Sequence, residues 1–151
     1  MHSLQVIKRT NDEEVARLRA ERIRELARAA CVSLLEHNGA SFALTTGKDM
    51  RGAGFYAVSI YKGREVIFDG TPNVSEVEDY IIANYDAAQY PLMPMLGLWR
   101  DGEKVYADIS VCVPDRVTAL QLAASNSQRA IFDLARGEVI PVLGAEDAIG
   151  A

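Results

Sequence analysis

The chain has 151 residues, of which 49% are hydrophobic and 25% charged, and its formal net charge is -5. This length suits one domain, and the balance is typical of globular proteins, which excludes a chain disordered throughout. The acidic balance disfavours nucleic-acid binding, because generic phosphate binding needs a basic face. No apolar run approaches the ~20 residues that span a bilayer. The two cysteines stand far apart, so we predict reduced thiols, as in the cytoplasm. We therefore predict a cytoplasmic protein that has no contact with a membrane.

The first predicted element is a long helix over residues 10–38, which begins at polar capping residues and ends with Gly39 at a left-handed C-cap. Apolar residues recur at helical steps and form one stripe: Val15, Leu18, Ile23, Leu26, Ala30 and Leu34. The opposite face interleaves arginines with glutamates and is interpreted as a solvated, self-paired face. Arg24 and Arg28 on that face are kept as candidate contacts to a protein partner. The stripe either completes a layer or pairs with another chain, which leaves a homo-oligomer open.

Residues 55–87 and 95–126 have the pattern of one unit used twice. Each segment contains a strand pattern, a glycine turn, a second strand pattern, a proline turn and an apolar-periodic helix. Sliding the sequence by 39 positions superposes Asp69 on Asp108. The similarity therefore predicts a hairpin and a helix that occur twice along the chain.

We accordingly predict an α+β fold with a single domain over residues 1–142. A mainly antiparallel sheet carries its helices on one face. Residues 41–87 form the first hairpin–helix unit, with its hairpin turn at residues 62–64. Residues 95–142 form the second unit and a closing hairpin, and the remaining residues 143–151 are predicted to be a flexible tail.

The chemistry-bearing residues form no recognisable catalytic or metal-binding pattern. There are only two histidines, His2 and His37, and a helix would place Cys31 and His37 on opposite faces. We therefore predict no catalytic residue, no metal ligand and no cofactor, and favour a protein without enzymatic activity. Asp69 and Asp108 leave a paired-carboxylate site conceivable, but we interpret both as acceptors for backbone N–H groups at the turns that follow.

The loop over residues 47–54 contains three glycines and carries Lys48 and Arg51. It lacks the GxxxxGK[ST] spacing of a phosphate-binding loop, so a turn between strands is the favoured interpretation. Binding of a small molecule or a nucleotide through Lys48 and Arg51 is the alternative. The amides of Asn126 and Gln128, at a helix-to-strand turn, are further ligand candidates, although they are also suited to closing that turn.

Trp99 and Tyr106 stand on the two paired strands of the second unit. Two aromatic residues at such positions pack against each other across the strands. They can also present a platform to a ligand or a protein partner, since both combine a large apolar ring with a polar group. Both residues are therefore candidate partner-binding residues.

The last third of the chain resembles a block found in uncharacterised proteins of actinobacteria and their phages. The resemblance rests on Leu98-Trp99-Arg100-Asp101-Gly102-Glu103-Lys104-Val105-Tyr106-Ala107-Asp108-Ile109-Ser110, on residues 126–134, which include the run Ala130-Ile131-Phe132-Asp133-Leu134, and on Arg136-Gly137-Glu138-Val139-Ile140. It implies a small accessory protein related to phages and implies no defined activity. The favoured hypothesis is a non-enzymatic cytoplasmic protein that docks onto a protein partner. The alternative is a small-molecule or nucleotide-binding protein that uses the glycine-rich loop.

Overall fold

The computed structural model describes residues 2–61, 63–89 and 91–142, and of residues 2–5 only the backbone. Its helices are α1 (His2–His37), α2 (Val74–Ala83) and α3 (Arg116–Ser125), with a 3₁₀ turn at Tyr85–Gln89. Its strands are β1 (Gly39–Ala43), β2 (Tyr56–Val58), β3 (Val66–Asp69), β4 (Met93–Asp101), β5 (Lys104–Val113), β6 (Ala130–Asp133) and β7 (Glu138–Pro141). The strands form one seven-stranded antiparallel sheet. The predicted α+β fold is therefore confirmed.

The β4–β5 hairpin forms the centre of the sheet. It pairs continuously from Met93 opposite Cys112 to Asp101 opposite Lys104. Gly102 in its two-residue turn has a φ of 64°, a conformation that glycine adopts without steric cost. The strand order is β1-β4-β5-β2-β6-β7, and β3 also pairs with β5. The predicted second-unit hairpin and the closing β6–β7 hairpin are both present.

The predicted first-unit hairpin is wrong. β2 pairs with β5 and β6, and β3 pairs with β5, so the two strands lie end to end along one edge of β5. Contacts to α2 and the 3₁₀ turn explain the difference. The guanidinium of Arg64 donates to Asn84 and to both carboxylate oxygens of Asp86, and the hydroxyl of Tyr80 donates to the Arg64 carbonyl. These contacts hold the connecting segment away from a tight turn.

All three helices pack on the same face of the sheet. Alternate residues of a strand point to opposite faces. Along β5 the residues on the helix side are Val105, Ala107, Ile109, Val111 and Val113. The first three pack with α1 and α2, and the last two pack with α3. Two of the three clusters of buried hydrophobic residues therefore lie on this covered face, and the third, around Met50, Met95 and Cys112, lies on the opposite face.

The first helix is longer than predicted, and only its second half is packed. It begins at His2 rather than near residue 10, and residues 6–22 are exposed. The part of the predicted stripe that is buried comprises Ile23, Leu26, Ala30 and Leu34. Val15 and Leu18, which belong to the same predicted stripe, are 56% and 51% exposed, so the stripe packs on the domain only from Ile23 onward. The chain meets the sheet only from about Ile23 onward.

The end of α1 also differs in detail from the prediction. The left-handed residue after the helix is Asn38, with a φ of 60°, rather than Gly39. Its N–H donates to the Leu34 carbonyl at 2.9 Å. Asparagine tolerates this region better than most residues, because its short side chain bonds locally. Gly39 therefore becomes the first residue of β1.

Two boundary findings complete the architecture. The predicted tail, residues 143–151, lies outside the described residues. Within the described ranges, no helix combines the length and apolarity that crossing a membrane requires.

Candidate functional site

The face of the sheet opposite the helices contains a cavity of about 570 Å³. Its lining comes from six strands, the end of α1 and the loop after β1, and includes Gly39, Ser41, Ala57, Gly97, Trp99 and Asp108. Small side chains on neighbouring strands leave this face concave. Met50 covers one end of it and is buried against Ala57, Met95 and Cys112. The rest of the face opens to solvent.

Gly97 and Asp108 face each other across the central hairpin and form the floor of the cavity. A Cβ atom built at Gly97 would collide with Oδ1 of Asp108. The carboxylate therefore occupies space that any other residue at position 97 would fill. Glycine is required here by the close approach of that carboxylate and not by backbone conformation.

Asp108 is the electrostatic centre of the cavity. Among the described residues, its carboxylate has neither a hydrogen bond nor an ion pair. Burial, and secondly the nearby Glu65 carboxylate, raise the pKa of Asp108 to about 6. Burial and the negative charge of Asp108 also raise the pKa of Tyr80. The site thus contains a carboxylate that is partly desolvated and has no cation of its own.

The position of Asp108 contradicts our interpretation of it as a turn acceptor. β5 continues to Val113, so Asp108 lies in the middle of a strand. On the adjacent edge, β3 pairs with residues 104–107 of β5 and β2 with residues 111–113. Asp108 therefore lies where one partner strand ends and before the next begins. Asp69, its counterpart in the first unit, is exposed at the end of β3.

Trp99 and Tyr106 stack at the rim of the cavity. Their ring centroids are 4.2 Å apart, and the rings are within 8° of parallel. They form the register pair next to Gly97 and Asp108 on the same face. Trp99 remains 42% exposed in spite of this contact. The stack is consistent with cross-strand packing and also presents an aromatic ring beside the opening.

The other polar groups of the cavity include His37, Ser33 and Arg51. His37 lies at the edge, and its Nε2 is 3.7 Å from Glu36 Oε2. The hydroxyl of Ser33 donates to the Gly39 carbonyl at 2.7 Å. Among the described residues, no hydrogen bond connects His37 to a serine or to Asp108.

The glycine-rich loop closes one end of the cavity rather than forming a phosphate cradle. The N–H groups of Gly47 and Gly52 donate to the carbonyls of Ala43 and Leu134, both at 2.8 Å. These amides are therefore already satisfied and face protein rather than a ligand. Of the two basic residues predicted to bind a ligand, Arg51 borders the cavity and Lys48 is absent from its lining.

The other candidate residues lie outside the cavity. Asn126 donates to the Leu122 carbonyl at 2.8 Å, and Gln128 donates to the Asn126 carbonyl at 3.5 Å, so both side chains contribute to closing their turn. The guanidinium of Arg24 is 3.1 Å from Glu78 of α2. Arg28 is exposed on α1. The structure therefore brings together Trp99, Tyr106 and Arg51, but separates them from the remaining candidates.

The sequence did not predict that Gly97 and Asp108 form the floor of a cavity. The available signal was the alternation of β5, in which Tyr106, Asp108 and Ser110 interrupt an apolar strand at every second position. Within the described residues, no cluster of His, Cys, Asp and Glu has the geometry of a metal site.

No protein-family model matches the chain, and neither a curated protein nor a solved structure matches it significantly. The resemblance of the last third to actinobacterial and phage proteins therefore stays a prediction.

Proposed function

We propose that this protein binds a small molecule in the cavity on the uncovered face of its sheet. One observation carries the proposal: a concave, largely apolar cavity contains a single partly desolvated carboxylate that lacks a partner within the described chain. Its volume of about 570 Å³ falls in the usual range for ligand pockets. Small-molecule sites commonly combine an apolar lining with a few convergent polar groups.

The proposal retains the small-molecule binding that the sequence offered as the alternative. It places the centre of the binding site on β4 and β5 instead of in the glycine-rich loop. The glycine-rich loop contributes Arg51 and the covering residue Met50, while the floor comes from β4 and β5. Nucleotide binding loses support, because the loop amides that would hold phosphate donate to protein carbonyls. Binding without catalysis is supported by the lack of a hydrogen bond between His37 and a cavity hydroxyl among the described residues.

A fragment screen by two-dimensional NMR tests the proposal. We expect small molecules to shift the amide signals of Gly39 and Gly97 at millimolar concentration. Ser41→Phe should abolish these shifts, because the ring would fill the cavity from β1. Gln121→Leu, on the exposed side of α3, adds an apolar side chain away from the cavity and serves as the control. Hits that remain unchanged in Ser41→Phe would contradict the proposal.

Docking onto a protein partner is a second candidate function. It is supported by the exposure of Trp99 at the rim of an uncovered sheet face, since partly exposed tryptophans are frequent anchors of interfaces. Arg28 lies on α1 and Arg24 is engaged with Glu78, so neither joins this surface. The candidate docking surface therefore consists of Trp99, Tyr106 and the cavity mouth.

An affinity capture from host lysate, followed by mass spectrometry, tests protein docking. We expect one stoichiometric protein that is lost with Trp99→Ala and retained with Arg28→Ala. Retention of the partner by Trp99→Ala would show that another surface mediates the interaction. Addition of a cavity ligand in the same experiment separates the two functions, because competition would indicate a shared site.

Self-association is a further proposal, since residues 6–22 of α1 extend from the domain with Val15 and Leu18 exposed. A helix without tertiary contacts is only marginally stable in water, and pairing would bury these side chains. Sedimentation analysis of Leu18→Glu checks it. A monomeric mass for both the unmodified protein and the variant would contradict the proposal.

A further inference from the structure

We infer that the cavity takes a small organic cation, whose ammonium or guanidinium group pairs with Asp108 and whose aromatic or apolar body lies against Trp99 and the cavity wall. This inference rests on the proposed small-molecule function and names the ligand class. Three features of the site carry it: a carboxylate without a partner, open space beside it, and an aromatic rim.

The first feature is the partly desolvated charge of Asp108, which accepts no hydrogen bond from the described residues and keeps contact with solvent. Removing a carboxylate from water is costly unless a cation or hydrogen-bond donors replace the water. Several acidic residues of this chain have such partners: Asp86 has Arg64, Glu78 has Arg24, and Asp115 accepts from Thr118. Asp108 lacks one within the described residues although it is more deeply placed. A ligand cation would supply the missing partner.

The second feature is the space around the carboxylate. Gly97 on one side has no side chain, and Ser110, two residues along β5, contributes only a small hydroxyl. That hydroxyl makes no hydrogen bond among the described residues, so it can accept one from a ligand ammonium. A cation can therefore approach Asp108 without displacing any side chain.

The third feature is the aromatic rim. The Trp99–Tyr106 pair lies next to the Gly97–Asp108 pair in the hairpin register, a spacing of about 7 Å along the strands. Aromatic faces attract cations and stack on flat apolar groups. Phe132 and Met95 extend the apolar wall beyond the carboxylate. The cavity thus offers one anionic point and an apolar surface, which together fit an aromatic amine.

The charged groups near Asp108 determine which ligand charge the cavity prefers. Glu65 adds negative charge from the segment before β3, and Tyr80 of α2 is electrostatically coupled to Asp108. His37 and Arg51 line the edge of the cavity. Glu65 strengthens the preference for a cation at the floor. An anionic substituent of the same ligand would lie next to Arg51 and His37.

A matched series of indole compounds tests the inference. Tryptamine carries an ammonium group, tryptophol replaces it with a hydroxyl, and indole-3-propionate replaces it with a carboxylate. By calorimetry at pH 7.5, we expect tryptamine to bind about ten- to hundredfold more tightly than tryptophol, because hydrogen bonds to charged groups are the stronger ones. Indole-3-propionate should be the weakest of the three.

The matched variants are Asp108→Asn and Asp69→Asn. Both remove one negative charge, but Asp69 is exposed on β3 and is not part of the cavity lining. We expect Asp108→Asn to remove the preference for tryptamine over tryptophol and Asp69→Asn to leave it intact. Equal loss in both variants would indicate only general electrostatic attraction and would overturn the inference.

Direct titration of Asp108 provides a readout that does not depend on affinity. The carboxyl carbon of Asp108, followed by NMR, should titrate near pH 6 in the free protein and at lower pH with saturating tryptamine. An unchanged pKa in the complex would overturn the inference.

Failure of the inference differs from failure of the proposed function. If all three compounds bind in the cavity with equal affinity, the small-molecule function stands and the cation preference is overturned. If none of the three shifts the Gly39 and Gly97 amides at millimolar concentration while fragments of another class do, the inference alone is overturned. If no fragment shifts them, both are overturned.

Discussion

The two faces of the central sheet differ in the surroundings that they give to residues of the same strand. On the covered face, Val105, Ala107 and Ile109 of β5 are fully buried against α1 and α2. On the uncovered face, Tyr106 and Asp108 alternate with them; Asp108 lines a cavity, and Tyr106 stacks on Trp99 at its rim. Residues that are neighbours in sequence therefore have separate roles. One set excludes water, and the other leaves space and charge open to solvent.

Because the two faces differ, substitutions on them can separate effects on stability from effects on binding. Burial of branched apolar side chains on the covered face stabilises the fold in proportion to the area removed from water. The uncovered face carries features that cost stability, namely a partly desolvated carboxylate and a cavity. Such costs are typical of functional sites, so removing the desolvated charge with Asp108→Asn should stabilise the protein, whereas truncating the core of the covered face should destabilise it.

The largest expected effect is on the covered face. Ile109→Ala removes a fully buried side chain between β5 and the helices. We expect a loss of about 3 kcal/mol in the free energy of unfolding, because the deletion loses transfer free energy and leaves a cavity. Urea unfolding followed by circular dichroism measures it. A loss below about 1 kcal/mol would mean that this face is less tightly packed than the structure shows.

The neighbouring substitution Asp108→Asn should stabilise the protein. The folded-state pKa of Asp108 is about 6, above the ordinary value of 3.8, so ionising it opposes folding. Each tenfold change in an ionisation constant corresponds to about 1.4 kcal/mol, which gives a gain of at most about 3 kcal/mol at pH 7.5. Urea unfolding of the variant and the unmodified protein at the same pH measures the gain.

The sign of the pH dependence follows from the raised pKa. The destabilisation is fully present above about pH 6 and disappears as the pH falls below about 3.8, where Asp108 is protonated in both the folded and unfolded states. The stability difference between Asp108→Asn and the unmodified protein should therefore shrink over this window. Taking the difference cancels other carboxylates, including Asp115, whose pKa is lowered by its bonds to Thr118. A difference that is constant with pH would contradict the prediction.

The sequence predicts the covered face well and the first unit poorly. Periodicity locates the packed part of α1, the β4–β5 hairpin and the closing hairpin, because local turn chemistry and apolar spacing determine these elements. The pairing of β2 and β3 depends instead on distant contacts of Arg64 with Asn84 and Asp86. A glycine turn between two strand patterns predicts a hairpin, but such tertiary contacts override it.

The candidate site is only partly visible in the sequence. Trp99 and Tyr106 can be paired from the hairpin register, and the structure stacks them. The function of Asp108 cannot be inferred in this way, because its role depends on the absence of a side chain at Gly97 and on the uncovered face. Neither property has a local sequence signal. Their combination appears only when the strand order is known.

A moderate effect is expected for Gly97→Ala on the uncovered face. The new methyl group would collide with Oδ1 of Asp108, so the carboxylate must move. We expect a loss of about 2 kcal/mol in the free energy of unfolding, as for other overpacked positions. In the Asp108→Ala background, the same substitution should cost less than about 1 kcal/mol, since the colliding group is gone. Equal costs in both backgrounds would mean that Gly97 is not constrained by Asp108.

The smallest effect is expected at the aromatic rim. Trp99 stacks on Tyr106 but remains largely open to solvent, so Trp99→Leu should lower the free energy of unfolding by only about 0.5–1 kcal/mol. A double-mutant cycle with Tyr106→Leu isolates the stacking energy, and both variants keep an apolar side chain on the strand. A coupling of zero would show that the rings do not stack in solution. A nonzero coupling energy, together with weakened binding of tryptamine to Trp99→Leu, would identify the aromatic rim as part of the site. The substitution would then affect binding more than folding.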